Sequence, residues 1–286
     1  EQGVPCVAAI NKADLSCAPP ALPEGVLSVR VSALTREGIP ALKEALAAAV
    51  PQEEEAPLAA DLIPAGGVAV LVVPIDKAAP KGRLILPQQQ VLRDLLDNGR
   101  AGIVCRESEL TRILSALSAP PDIVVTDSQA FAQVDALTPP DVALTSFSIL
   151  MARRKGVLAA AVEGVAAARR LRDGERVLVC EGCTHHRQCG DIGTQKIPGW
   201  LREYAGCAPD FTFTSGGDFP EDLSGFRLIV HCGGCMLNGR EMRYRLRTAQ
   251  AAGVPMTNYG ILIAEMKGIL RRSIRMLPDV SGLLDG

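Results

Sequence analysis

The sequence predicts an α/β protein of several domains with mainly parallel sheets. Three observations carry this. Short apolar runs such as Val4–Ile10, Val68–Ile75 and Ile123–Thr126 alternate with longer helical stretches, the pattern of βαβ units. These runs are continuously apolar rather than alternating, as expected for strands covered on both faces. With 286 residues, 48% of them hydrophobic, the chain is too long for one ordinary core.

In chain order, strands are predicted at Val4–Ile10 and Leu27–Val31, then a helix from Ile39 to Val50. Residues Pro51 to Pro57 form an acidic linker bounded by prolines. A strand over Val68–Ile75 follows, then a helix containing Val91–Leu96 and a strand at Ala101–Cys105. A helix over Glu107–Leu117 and strands at Ile123–Thr126 and Val142–Leu144 come next. Pro120-Pro121 and Pro139-Pro140 mark the approaches to those two strands. One long helix is expected from Met151 to Leu171. Strands are expected at Arg176–Cys180, Phe211–Thr214, Phe226–Val230 and Pro255–Asn258, with helices near Ile197–Tyr204, Glu241–Ala252 and Ile261–Arg272. The domain plan is 1–50, a linker at 51–60, 61–148 and 149–286.

Aromatic residues make up 3% of the chain, which argues against a stacking platform for single-stranded nucleic acid. The longest apolar helical stretch, Val157 to Ala168, carries Glu163 and is too short to cross a bilayer. Residues 1–150 hold 11 Lys/Arg against 18 Asp/Glu, and residues 151–286 hold 19 against 14. This is either ordinary solvated helix faces or a basic C-terminal half suited to an anionic ligand or partner. Nine cysteines, clustered and odd in number, do not make the framework of a small secreted domain. They suggest metal or redox chemistry in a reducing, cytoplasmic compartment.

Two cysteine motifs fall directly after predicted strands: Cys183-x-His185 and, after 45 intervening residues, His231-Cys232-x-x-Cys235. Ligands of open α/β sheets bind at that carboxyl edge. Thiolates suit iron–sulfur clusters or zinc. Gly233 and Gly234 allow a tight turn that brings amide N–H groups near sulfur. Spacing leaves three outcomes open: a cluster held by three Cys, a Cys3His zinc site, or a redox dithiol. Cys180 lies within a strand and reads as a core residue, as does Cys105; Cys6, Cys17, Cys189 and Cys207 lack partner spacing.

Asn11-Lys12-Ala13-Asp14 follows the first strand and Ser32-Ala33 follows the second. Together they are a strong signature of the guanine-recognition end of a P-loop GTPase, in which an Asp carboxylate pairs with N1–H and the exocyclic amine of guanine; the other reading is a generic Asn/Asp turn after a strand. No GxxxxGK[ST] precedes them, so the phosphate cradle is expected upstream of residue 1, and this stretch should not hydrolyse GTP unaided.

This order of motifs resembles the HydF family, the GTPases of [FeFe]-hydrogenase H-cluster maturation. The resemblance spans essentially the whole chain and includes Val73–Asp76 with Ala79–Arg83, Leu144–Ser148, Cys183–His186 with Asp191–Gly193, and His231–Cys235. It implies a scaffold that holds a [4Fe–4S] cluster on Cys183, Cys232 and Cys235, with His185 and His231 as fourth ligand or as support. It also implies that a diiron precursor made by radical-SAM maturases is received as cargo and delivered to the apo-hydrogenase. A middle unit mediating dimers, with tetramers beyond, GTP and Mg2+ as cofactors of the full-length GTPase, and Asn11, Lys12, Asp14, Ser32 and Ala33 as its base-recognition residues complete what the resemblance implies. A zinc-binding adaptor and a dithiol redox protein remain the alternatives.

Overall fold

A computed structural model of the chain describes residues 5–15, 18, 20–49, 57–75, 84–182 and 191–284. Two compact units divide it, Glu1–Glu55 and Ala56–Gly286. All strand pairs in both are parallel.

In the first unit β1 (Val7–Ile10) pairs with β2 (Leu27–Arg30), and α1 (Ile39–Ala49) follows. Gly38, at φ +70°, starts the helix so close to the Arg30 backbone that no Cβ would fit. Val31 and Ser32 are buried, while Leu27, Leu34 and Leu46 are exposed.

The second unit holds two four-stranded sheets. The first is formed by β3 (Val68–Val72), α2 (Leu86–Asp97), β4 (Ala101–Cys105), α3 (Leu110–Ala116), β5 (Ile123–Thr126), α4 (Phe131–Leu137) and β6 (Ala143–Ser146), in strand order β4-β3-β5-β6. Helices α5 (Phe147–Arg154) and α6 (Leu158–Gly164) lead into the second. That sheet comprises β7 (Arg176–Glu181), α7 (Ile197–Ala205), β8 (Asp210–Ser215), β9 (Leu228–His231), α8 (Gly239–Ala251) and β10 (Met256–Asn258), in order β8-β7-β9-β10. Helices α9 (Tyr259–Met266) and α10 (Leu270–Ile274) close the unit. Inner strands β5 and β9 are buried throughout, whereas β4 and β8 at the edges are partly exposed. This is how continuous apolar runs and sheet centres coincide.

The two sheets share one strand order, and the segments that end them share a sequence. Residues 142–158, VALTSFSILMARRKGVL, and 254–270, VPMTNYGILIAEMKGIL, are identical at eight of seventeen positions. Their structures match as well. The side chain of Ser146 caps α5 by accepting from the Ile149 amide, and that of Asn258 caps α9 by accepting from the Ile261 amide. Both helices end on a Lys-Gly pair with the glycine left-handed, Gly156 at φ +71° and Gly268 at φ +72°. In each, the amide two residues past the lysine returns to a carbonyl five residues back, Val157 to Ala152 and Ile269 to Ala264. This is a Schellman end.

These two turns correct the predicted helices. The expected helix 151–171 is α5, a stop at Gly156, α6 and a 3-10 turn over Val165–Arg170; the expected helix 261–272 is α9 and α10 divided at Gly268. Apolar periodicity runs through both stops and hides them. Helix α4 has no counterpart in the prediction, because at seven residues it offers periodicity little to work with.

Candidate metal centre

In the second sheet the strand order reverses between β7 and β9, and the crevice at their carboxyl ends is the place where such sheets bind ligands. Register places Cys180 beside His231, and the Cys232 amide donates to the Cys180 carbonyl at 2.8 Å. The Cys232 sulfur is thereby brought under two backbone amides, Gly182 N at 3.0 Å and Gly234 N at 3.3 Å. Amide donors of this kind favour the thiolate and tune a sulfur-bound metal. The glycines are required by space. A Cβ on Gly182 would lie 2.8 Å from Leu237, and one on Gly234, itself at φ +61°, would lie 2.7 Å from the Met242 sulfur. Beyond the loop, Asn238 caps α8 by accepting from the Glu241 amide at 2.8 Å. Cys235 sits half-buried on the same loop.

His231 is fully buried and both ring nitrogens are engaged. Arg245 Nη1, which can only donate, lies 3.1 Å from Nε2, so Nδ1 carries the hydrogen and donates to the Cys232 carbonyl at 2.8 Å. Burial pushes the imidazole pKa down to about 4, against the pull of the Cys232 carbonyl, and nearby Arg245 and Lys155 push it the same way as burial. In this arrangement the ring supports the cysteine loop and offers no lone pair. Arg245 is itself fully buried. It also donates to the Gly216 carbonyl at 2.8 Å and to Glu241 at 2.8 Å, and it lies over the Phe219 ring. The arginines at 240–247 are therefore not one solvent-facing basic patch. Arg245 points inward and holds the site.

Three further residues surround the loop, Lys155 and Tyr259 without a signal in the sequence and Gly193 from the Asp191–Gly193 stretch. Lys155, from the end of α5, donates to the carbonyls of Gly233 and Gly234. Among the described residues the buried Tyr259 hydroxyl has no hydrogen-bond partner. Burial, with the charges of Cys232 and Glu181, raises its pKa and keeps it protonated. Gly193 makes room for it: a Cβ there would collide with that hydroxyl and lie 2.6 Å from Glu181 Oε1. A polar loop, amide-cradled sulfur and an unspent buried hydroxyl are a donor set that fits a thiolate-bound metal group.

Cys183 and His185 lie outside the described residues, as does Cys189; Gly182 is the last described residue before them. Among the described residues no group of three or more His, Cys, Asp or Glu side chains could hold a metal ion. Cys180 is buried in the core, and burial raises its thiol pKa to about 11. Cys105 is buried too.

In the first unit, the Asn11 side chain accepts from the amides of Lys12 at 2.8 Å and Ala33 at 3.1 Å, which joins the loop after β1 to the loop after β2. Lys12 takes a left-handed φ of 68°. Ser32 is buried and its hydroxyl accepts from the Thr35 amide at 3.1 Å. Asp14 is exposed.

Two family models cover most of the chain. Residues 58–156 match the Hydrogen maturase F dimerization domain, and residues 159–276 match the Hydrogen maturase F tetramerization domain. The chain belongs to the hydrogen maturase F family. Its place is in hydrogenase maturation, and its two matched domains are those through which the family forms homo-oligomers. The matches meet at the Gly156 turn, so Lys155 reaches from the dimerization domain into the loop of the tetramerization domain. No curated relative matches the chain. Among the described residues no helix is long and apolar enough to cross a membrane.

Proposed function

We propose that this maturase is a scaffold and carrier, holding a [4Fe–4S] cluster on Cys183, Cys232 and Cys235 and passing a diiron precursor to an apo-hydrogenase. The observation that carries this reading is the Cys232 sulfur under two backbone amides at the switch point of the sheet, in a family of hydrogenase maturation. The cluster supplies an iron with no cysteine of its own, available to an exchangeable ligand. The protein's part is to fix the sulfurs, keep His231 as support and leave that iron accessible. His185 remains a candidate for the fourth position. Radical-SAM maturases in the cytoplasm supply the cargo in this reading. Asn11, Lys12, Asp14, Ser32 and Ala33 serve guanine recognition in a GTPase that binds GTP with Mg2+. The Asn11–Ala33 bond supports that assignment, because it sets the two recognition loops side by side.

Anaerobic reconstitution with iron and sulfide tests the reading. The chain should turn brown, hold about four iron and four sulfide per chain, and show the EPR signal of a reduced cubane. Cys183→Ala, Cys232→Ala and Cys235→Ala should each lose most of that iron, and Cys180→Ala should keep it. A colourless chain with one zinc, or a reversible Cys232–Cys235 disulfide with little metal, would overturn the proposal.

A further inference from the structure

The cysteine loop is gripped from outside its own domain by a buried cation. The Schellman end of α5 turns the chain at Gly156 and leaves Lys155 as the C-cap, where a positive charge suits the helix terminus. Its side chain does not run out to solvent. The residue is 6% exposed, and the ammonium donates to the Gly234 carbonyl and, at 3.5 Å, to the Gly233 carbonyl. Ser148 of the same helix packs on that loop, its Cβ 3.8 Å from where a Cβ of Gly233 would be.

Burying an ammonium is costly unless an opposite charge faces it. Among the described residues no carboxylate pairs with Lys155, and the carbonyls that hold its ammonium belong to Gly233 and Gly234, the two residues between Cys232 and Cys235. Burial lowers its pKa, and the neighbouring Cys235 and Cys232 sulfurs oppose that. The repeated segment supplies an internal control. Lys267 occupies the position equivalent to Lys155, at the end of α9 and before its own left-handed glycine, yet it is exposed, with Nζ 5.7 Å from the centre of the Trp200 ring. The shared frame therefore does not require a buried lysine. The copy that faces the cysteines has one.

We propose that Lys155, contributed by the dimerization domain, is a positioning residue for the His231–Cys235 loop and the counter-charge of the anionic thiolate-bound group held there. The inference rests on the cluster reading given above. A cubane core of charge 2+ on three thiolates is a monoanion, and one-electron reduction makes it a dianion. A buried cation beside it favours the reduced form.

The test is a redox titration, followed by EPR, of the anaerobically reconstituted chain and of K155M, K155R and K267M, with iron content measured for each. K155M should move the midpoint to more negative potential by about 59 mV, a tenfold change in a one-electron equilibrium. K155R and K267M should stay with the wild type. If K155M loses the cluster while K155R keeps it, the same role for the charge is supported. A K155M midpoint equal to wild type, equal losses in K155M and K155R, or an equal shift in K267M would each overturn the role of Lys155. A wild-type chain that takes up no cluster instead overturns the reading of the site itself.

Discussion

The two four-stranded sheets of the larger unit are two versions of one frame carrying different chemistry. Each has its first strand between its second and third, each ends in a capped helix, and each helix stops at Lys-Gly. After the third strand, the first sheet continues into Asp127-Ser128, where the Asp127 side chain accepts from the Gln129 amide. The second continues into Cys232-Gly233-Gly234-Cys235, where the sulfur takes the amides. The difference teaches that the crevice belongs to the frame while the ligand chemistry belongs to a few loop residues, the general relation between fold and site. The copies also meet each other. Ser148 of one faces Gly260 of the other at equivalent positions, and Ser148 is hydrogen-bonded to Ser128 at 2.8 Å and Ser146 at 3.1 Å.

Making the copies alike at that meeting point should have the largest effect on stability. A Cβ on Gly260 would lie 2.7 Å from Ser148 Cβ and 2.8 Å from the Ser128 hydroxyl. Gly260→Ser, which installs the residue of the first copy, should cost about 3 kcal/mol in urea denaturation. Wild-type stability in that variant would show that the two helices can separate without loss.

The caps should sharpen the likeness. Ser146→Ala and Asn258→Ala each remove one side-chain acceptor at the start of a helix, bonds of 3.3 and 2.8 Å. Each should cost about 1 kcal/mol, and clearly unequal costs would argue against a common frame.

The smallest expected effect concerns one position at which the copies carry opposite charges. Arg153 pairs with Asp61 at 2.9 Å, whereas its equivalent, Glu265, pairs with Arg169 at 2.7 Å. The hydrogen bond to Arg153 holds the Asp61 carboxyl below its ordinary pKa, against the opposing effect of burial. A depressed carboxyl pKa adds stability above the unfolded value of about 3.9, and that contribution is lost as pH falls through the folded value. Asp61→Asn should therefore be slightly less stable than wild type at pH 7 and should lose less stability on acidification below about pH 4. Parallel pH curves for the two proteins would count against the pair's contribution.

Much of the fold was legible because its signals are local. Val68 to Val72, Ile123 to Thr126 and Leu228 to Val230 announce inner strands by apolar continuity, and the pairing of cysteines with strand ends pointed to the carboxyl edge of a sheet. The repeat of 142–158 in 254–270 is also present in the sequence, but eight identities in seventeen positions stand out only once both segments are seen to end equivalent sheets.

The sequence by itself therefore determined the parallel α/β class, the placing of Cys232 and Cys235 at a strand end, and, through the family's domains, the part this chain takes in hydrogenase maturation. Only the tertiary structure decided that the buried His231 ring lies between Arg245 and the Cys232 carbonyl, that Arg245 faces inward, and that Lys155 crosses from one domain to the other. The reason is separation along the chain. Periodicity and turn residues report neighbours a few positions apart, while the bonds from Lys155 to Gly233 and Gly234 span 78 and 79 residues and exist only after both sheets have formed.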